Sequence, residues 1–234
     1  MRSNVIIDGK ALADFGAVFT DSMSYSAPNP QYETVEIVGR NGDLIVNKDR
    51  YSNYEYHLNG VIYENFRNNF LSMRAYLMNK NGYVRIEETE LPEYYRLGRL
   101  MGGISPNTAG EHQTHTFTLR YWCKPELWLK SGEIAISKTE PFTIYNPTYY
   151  TAKPLIRVYG YGTLVVGTNT IIIAQGATEY IDIDSEIMDC YEGDYNRNAL
   201  VTMQAFPTFE SGENAISWSG NISAVEITPR WFTL

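Results

Sequence analysis

The tripeptide Lys124-Pro125-Glu126, set in the aromatic stretch RYWCKPELWLKS at residues 120–131, divides this chain more sharply than any other feature. Proline has no amide hydrogen and disfavours helix in the residue before it, so the tripeptide reads as a seam. Tyr121, Trp122 and Trp128 beside it are expected to pack on one or both flanking domains. Before the seam, strand and helix signals mix with both charge signs; after it, short strand signals follow one another with acid and little base. The expected domains are residues 1–130 and 131–234, and 234 residues are enough for each to bury a core.

Charge divides at the same place. Residues 1–130 carry 14 Lys and Arg against 15 Asp and Glu, whereas residues 131–234 carry 5 against 12, so most of the net charge of −8 lies in the second half. Phosphate neutralisation needs clustered Lys and Arg, which argues against nucleic-acid binding there. With 44% hydrophobic and 20% charged residues the chain is an ordinary globular one rather than a disordered one. Nineteen tyrosines fit strands and interfaces, where a ring is buried while its hydroxyl stays hydrogen-bonded.

Cys123 and Cys190, on opposite sides of the seam, read as two free buried thiols. Acids interrupt the amino-terminal residues where a signal peptide needs an apolar core, and no apolar run reaches about 18 residues. Synthesis and folding in a cytoplasm are expected, with no membrane partner.

In the first half, residues 5–7 and 15–19 read as strands. Residues 22–30 form a polar, proline-containing connection. Thr34-Val35-Glu36-Ile37-Val38 and Leu44-Ile45-Val46 flank Asn41-Gly42, and an Asn-Gly pair between strands signals a type I′ hairpin, here expected to project. Residues 63–78 are the one convincing helix: Phe66, Phe70, Met73 and Leu77 recur at steps of four, three and four, which places them on one face as core. Strand patterns resume at 83–86, 94–97 and 115–121.

Past the seam, candidate strands fall at 142–145, 155–159, 163–166, 170–174, 180–183, 199–205, 215–219 and 224–227. Gly160, Gly162, Gly167, Gly176, Gly193, Pro207, Gly212 and Gly220 read as the turns between them. Seven or eight short strands without helical period imply an antiparallel β-sandwich. The chain as a whole is therefore expected to be mainly β, with an α+β amino-terminal domain of one main helix.

Candidate chemistry is sparse. His112 and His115 would point to opposite faces of a strand, which is poor metal geometry. Asp182, Asp184 and Glu186, with Glu179, Asp189, Glu192 and Asp194 nearby, superficially suggest calcium. A calcium loop counted from Asp182 would need glycine at Ile187 and glutamate at Gly193, so these acids read as a solvated rim. The same acids, or Glu87 and Glu88, could be imagined as a glycosidase pair, but sequence shows no separation. No nucleophile elbow, phosphate-cradling loop or dinucleotide fingerprint is present. No cofactor and no catalytic residue is expected. Trp218 and Trp231 are candidate sugar-stacking residues, set against a place in the core.

Several strings in order resemble the distal tail protein (Dit) family of long, non-contractile-tailed phages and prophages of Gram-positive bacteria. They include Asp14-Phe15-Gly16, then Val38-Gly39-Arg40-Asn41-Gly42-Asp43-Leu44, Gly82-Tyr83 and Tyr94-Tyr95-Arg96. Cys123-Lys124-Pro125, Tyr145-Asn146-Pro147-Thr148, Lys153-Pro154-Leu155-Ile156, Ile181-Asp182-Ile183-Asp184 and Ile227-Thr228-Pro229-Arg230-Trp231 continue the pattern. The resemblance implies a structural tail-tip hub, with an amino-terminal domain forming a hexameric ring and a galectin-like sandwich outside it. The ring would join the tail tube protein to the tail-associated lysin or tail fibre protein, and could dock receptor-binding proteins. Gly39, Arg40, Asn41, Gly42, Asp43 and Leu44 would correspond to an arm touching the neighbouring subunit. The rival from another class is a carbohydrate-binding module for host cell-wall glycans.

Overall fold

A computed structural model describes residues 4–19, 27–108, 115–177 and 179–234. Residues 22–26 of the expected polar connection, and His112, lie outside the described residues. The chain forms two compact units that divide between Leu127 and Trp128.

The first unit is built on one helix against a sheet. The helix Phe66–Met78 buries Phe70, Met73 and Leu77, the stripe its spacing places on one side. Phe66 is half-buried and stacks on Phe70 at 5.2 Å and on His115 at 3.9 Å between ring centres. The helix starts three residues later than the expected 63–78, at the first residue of its apolar stripe, because Asn65 adopts a left-handed conformation with φ 44° and turns the chain into the first turn. The sheet runs, in spatial order, Lys10–Ala11, Val5–Ile7, Val84–Glu88, Tyr94–Leu100, His115–Leu129, Tyr54–Ile62 and Ala17–Phe19. His115–Leu129 and Tyr54–Ile62 are antiparallel from His115 opposite Ile62 to Cys123 opposite Tyr54. Phe117, Leu119, Tyr121 and Cys123 alternate inward from that ladder onto the helix side. Gly60 sits opposite Phe117, and a Cβ there would overlap the Phe117 ring.

Pro125 does not break this ladder: the strand His115–Leu129 passes straight through it. Proline's fixed φ suits extended backbone, and the cost is only a missing donor, which is tolerated where no neighbour needs that amide. The ladder with Tyr54–Ile62 ends at Cys123 opposite Tyr54, so Pro125 lies beyond that pairing.

Within this core lies a polar group of four, three of them buried and Tyr54 half-buried. Glu88 and Arg96, 4% and 5% exposed, meet at 2.6 Å from Oε1 to Nη1. The Tyr56 hydroxyl donates to Glu88 Oε2 at 2.7 Å, and Arg96 Nε donates to the Tyr54 hydroxyl at 3.0 Å. The Arg96 guanidinium also lies over the Tyr56 ring, 4.5 Å from its centre. Burial, the largest influence, lifts the Glu88 carboxyl above its usual range although Arg96 and Tyr56 pull the other way.

The second unit is an antiparallel β-sandwich whose two layers share the same two strands. Leu155–Val166 and Gly212–Thr228 pair along most of their length, with a bulge between Tyr159 and Gly160. Below the bulge, residues 155–158 pair with Ile181–Asp184 and residues 225–227 with Ile136–Lys138. Above it, residues 162–166 pair with Asn169–Ile173 and residues 212–216 with Phe142–Asn146. A strand that changes layer must bend sharply, and sandwich corners use bulges and glycine for this. Gly160, Gly162 and Gly220 have φ of 103°, 146° and 89°, and a Cβ on Gly160 would overlap the carbonyl oxygen of Asn221. These glycines therefore fold long strands rather than separating short ones as turns. Between the layers pack Ile144, Ile156, Val158, Leu164, Ile171, Ile183, Val225 and Ile227.

Cys123 and Cys190 are both free and buried. Burial pushes the Cys123 thiol up to about 12 and the Cys190 thiol up to about 11, which keeps both as unreactive thiols.

Candidate assembly surface

Strands Pro30–Val35 and Leu44–Tyr51 form a separate two-stranded sheet, paired with neither large sheet. Their register sets Val35 opposite Leu44, Thr34 opposite Ile45, Glu33 opposite Val46 and Tyr32 opposite Asn47. Opposed residues share a face, so Val35, Leu44 and Val46 lie on one side and Tyr32 and Ile45 on the other. Both faces of this arm are thus apolar, and both are exposed.

The connecting loop departs from the two-residue turn that Asn41-Gly42 implies. Strand pairing stops at Val35 and Leu44, which leaves eight residues between. The Arg40 amide donates to the Ile37 carbonyl at 3.1 Å, with Gly39 at φ 81° in the third position, the placement a type II turn requires. Gly42 has φ 79°, and Asn41 is not left-handed. Gly39, Arg40, Asn41, Gly42, Asp43 and Leu44 are all exposed, at or beside the tip.

Leu44 apart, the apolar surface of the arm lies on either side of those six residues. Tyr32, Val35, Ile37, Val38, Leu44, Ile45, Val46 and Tyr51 are all exposed, Val38 completely at 103%. A two-stranded hairpin is marginal in water, and a contiguous exposed apolar patch marks an interaction site. The signal was in the chain: three successive apolar residues, 44–46, in a strand must occupy both faces, which a hairpin lying on one core does not need.

The other candidate residues fall elsewhere and are already engaged. Asp182 takes a bidentate pair from Arg157, Nε to Oδ1 at 2.7 Å and Nη2 to Oδ2 at 2.9 Å. Asp184 takes another from Arg230, at 2.6 and 2.8 Å, and accepts the Glu186 amide at 3.0 Å. Glu192 accepts Arg197 at 2.6 Å and the Glu179 amide at 2.8 Å. Of the acids expected to form a solvated rim, Glu179, Glu186 and Asp194 are exposed, but Asp182, Asp184 and Glu192 are not. These three are buried, and their arginines come from a strand and a loop remote in sequence or from the next turn. Glu87 is paired with Arg85 at 2.6 Å and Glu88 with Arg96, so the imagined carboxylate pair faces two arginines. Among the described residues no group of three or more His, Cys, Asp or Glu gathers in a metal-binding arrangement. Trp231, 5% exposed, packs on Phe209 at 5.7 Å in the sandwich core, so its ring has no face to offer a sugar. Trp218 is half-buried edge-on to Phe142.

Asp184 gives this second unit a pH dependence. Burial raises its carboxyl, but the Arg230 hydrogen bonds and charge and the Glu186 and Ile187 amides outweigh burial and hold it below the ordinary aspartate value. A depressed carboxyl contributes stability that is complete above the unfolded value of about 3.9 and lost as pH falls through the folded one. Asp184→Asn should lower stability at neutral pH by about 1–3 kcal/mol. The gap from the parent should close as melting is followed below pH 4, and a gap independent of pH would refute the assignment.

No family model and no curated protein matches the sequence. Solved structures do match. The Dit protein of phage SPP1, described as a paradigm of the hub adsorption apparatus in phages infecting Gram-positive bacteria, superposes with TM-score 0.72 at 13% identity, over 100% of both chains. A chain of the phage P2 baseplate in its activated conformation with Ca gives TM-score 0.51 at 12% identity, over 97% of each. The same baseplate with Sr gives 0.50 at 11%, over 96% of this chain and 97% of that one. At such identities the likeness is one of architecture, and it spans both units: from end to end the chain has the fold of a phage distal tail hub protein.

Proposed function

We propose that this chain is a structural hub subunit at the tail tip of a long, non-contractile-tailed phage or prophage, where six copies close into a ring through their arms. The ring joins the tail tube protein to the tail-associated lysin or tail fibre protein and presents the sandwich for docking receptor-binding proteins. It makes and breaks no covalent bonds, and its place is the virion tail tip after synthesis in the bacterial cytoplasm. One observation carries this reading: an arm with exposed apolar residues on both faces, left uncovered by the described residues of its own chain. Such a surface is stable in water when a partner covers it, and strand edges and apolar faces are a common way for copies to join.

The test is mass and shape in solution. The purified chain should sediment as a ring-sized oligomer, with six-fold particles in negative stain. Val38→Asp with Ile45→Asp, both on exposed arm positions, should shift it to monomer while melting changes by no more than about 0.5 kcal/mol per site. A parent chain that stays monomeric at high concentration would overturn the ring.

A further inference from the structure

We propose that a depression in the first unit, lined by Glu55, Arg99, Leu100, Met101, Gly102 and Trp122, receives the arm loop of a second copy of this chain. The proposal rests on the ring reading above and supplies its acceptor surface. The depression has a volume of about 460 Å³ and adjoins another of about 390 Å³, which shares Arg99, Leu100 and Gly102 and adds Met78 and Tyr83. Trp122, Met78 and Tyr83 are all exposed. Aromatic and thioether side chains around a concavity are suited to holding an inserted apolar side chain.

Three observations select the occupant. The arm loop carries Ile37 and Val38 uncovered at its tip, so the chain itself supplies an apolar group needing a recess. Reach argues against the protomer's own loop. The depression lies at the foot of its own arm, because Glu55 follows the strand Leu44–Tyr51 by four positions and sits opposite Trp122 in the sheet. An eight-residue strand spans about 26 Å, and that length of arm separates the loop from Tyr51 at its foot. The third observation is charge. The loop bears Glu36 and Asp43 with Arg40, while Arg99 lines the depression and Lys124 lies 5.4 Å from the Tyr83 ring centre; Glu55, whose Oε2 meets His57 Nε2 at 3.2 Å, adds an acid that Arg40 can approach. A protrusion and a recess at different places on one protomer make a head-to-tail contact, which closes into a ring when the rotation permits.

The test is disulfide trapping in the full-length chain with Val38→Cys and Met101→Cys combined, since the native thiols are buried. Mild oxidation should give intermolecular ladders about tenfold more abundant than in either single variant. Trp122→Ala should weaken association by about tenfold or more in sedimentation, as loss of a central aromatic does. Oligomers of normal mass in which the double variant gives no ladder, and which are indifferent to Trp122→Ala, would overturn the acceptor assignment and leave the ring intact. A chain that never associates would overturn both.

Discussion

Arg96→Leu should cost the first unit about 3–5 kcal/mol, because it strands Glu88 in a site that is 4% exposed. The carboxyl, already lifted by burial, would respond by taking a proton or by forcing the core open, and both are unfavourable. Replacing the whole group tells charge and packing apart. Glu88→Leu, Arg96→Leu and Tyr56→Phe together remove the charges and the Tyr56 hydroxyl that donates to Glu88, while Tyr54 keeps a half-exposed position. That triple variant should recover most of the loss and approach the parent in denaturant melts followed by tyrosine and tryptophan signals. If it is as unstable as Arg96→Leu alone, the damage comes from packing volume and not from an unpaired charge.

Gly160→Ala should be about as severe in the second unit, at roughly 2–5 kcal/mol. Left-handed backbone costs an alanine about 1–2 kcal/mol, and forcing its Cβ against the Asn221 carbonyl adds about 1–3 more. For a unit of this size that is a fall of about 10–20 °C in melting temperature. Gly167→Ala is the control. Its φ of 58° also requires left-handed backbone, but a Cβ there meets nothing within 4 Å, so only the backbone cost of about 1–2 kcal/mol is expected. Equal losses at both positions would mean that the close approach of the two long strands contributes nothing.

These two sites mark where sequence reading succeeded and where it ran out. The helix was legible because Phe70, Met73 and Leu77 repeat with the helical period, and local pattern alone decides which face is buried. The sandwich was legible as a class from its rhythm, but its strands were miscounted. Residues 155–159 and 163–166 belong to one strand, as do 215–219 and 224–227. A glycine with positive φ reads the same in sequence whether it turns a chain back or bends it onward; only its partner strand decides. The strand expected at 115–121 runs on through Pro125 to Leu129 for a related reason, since proline excludes helix and a ladder donor but not extension.

The site residues divide along the same line. The arm was visible in sequence because Asn41-Gly42 lies between two strand patterns, and three apolar residues in a row at 44–46 are the further local trace that exposure on both faces leaves. Its turn was mistaken because Asn41-Gly42 favours a tight hairpin, yet pairing ends at Val35 and Leu44 and the left-handed conformations fall to Gly39 and Gly42. The fate of Asp182, Asp184 and Glu192 was not legible at all. Their arginines stand 25, 46 and 5 positions away, and only topology brings the first two pairs together.

The sharing of two strands by both layers of the sandwich has a consequence for how that unit can come apart. A layer cannot peel away while its neighbour survives, since each holds half of the same two backbones. Loss of order should therefore spread through all of it at once, leaving no half-open form for a protease or an aggregating neighbour to exploit.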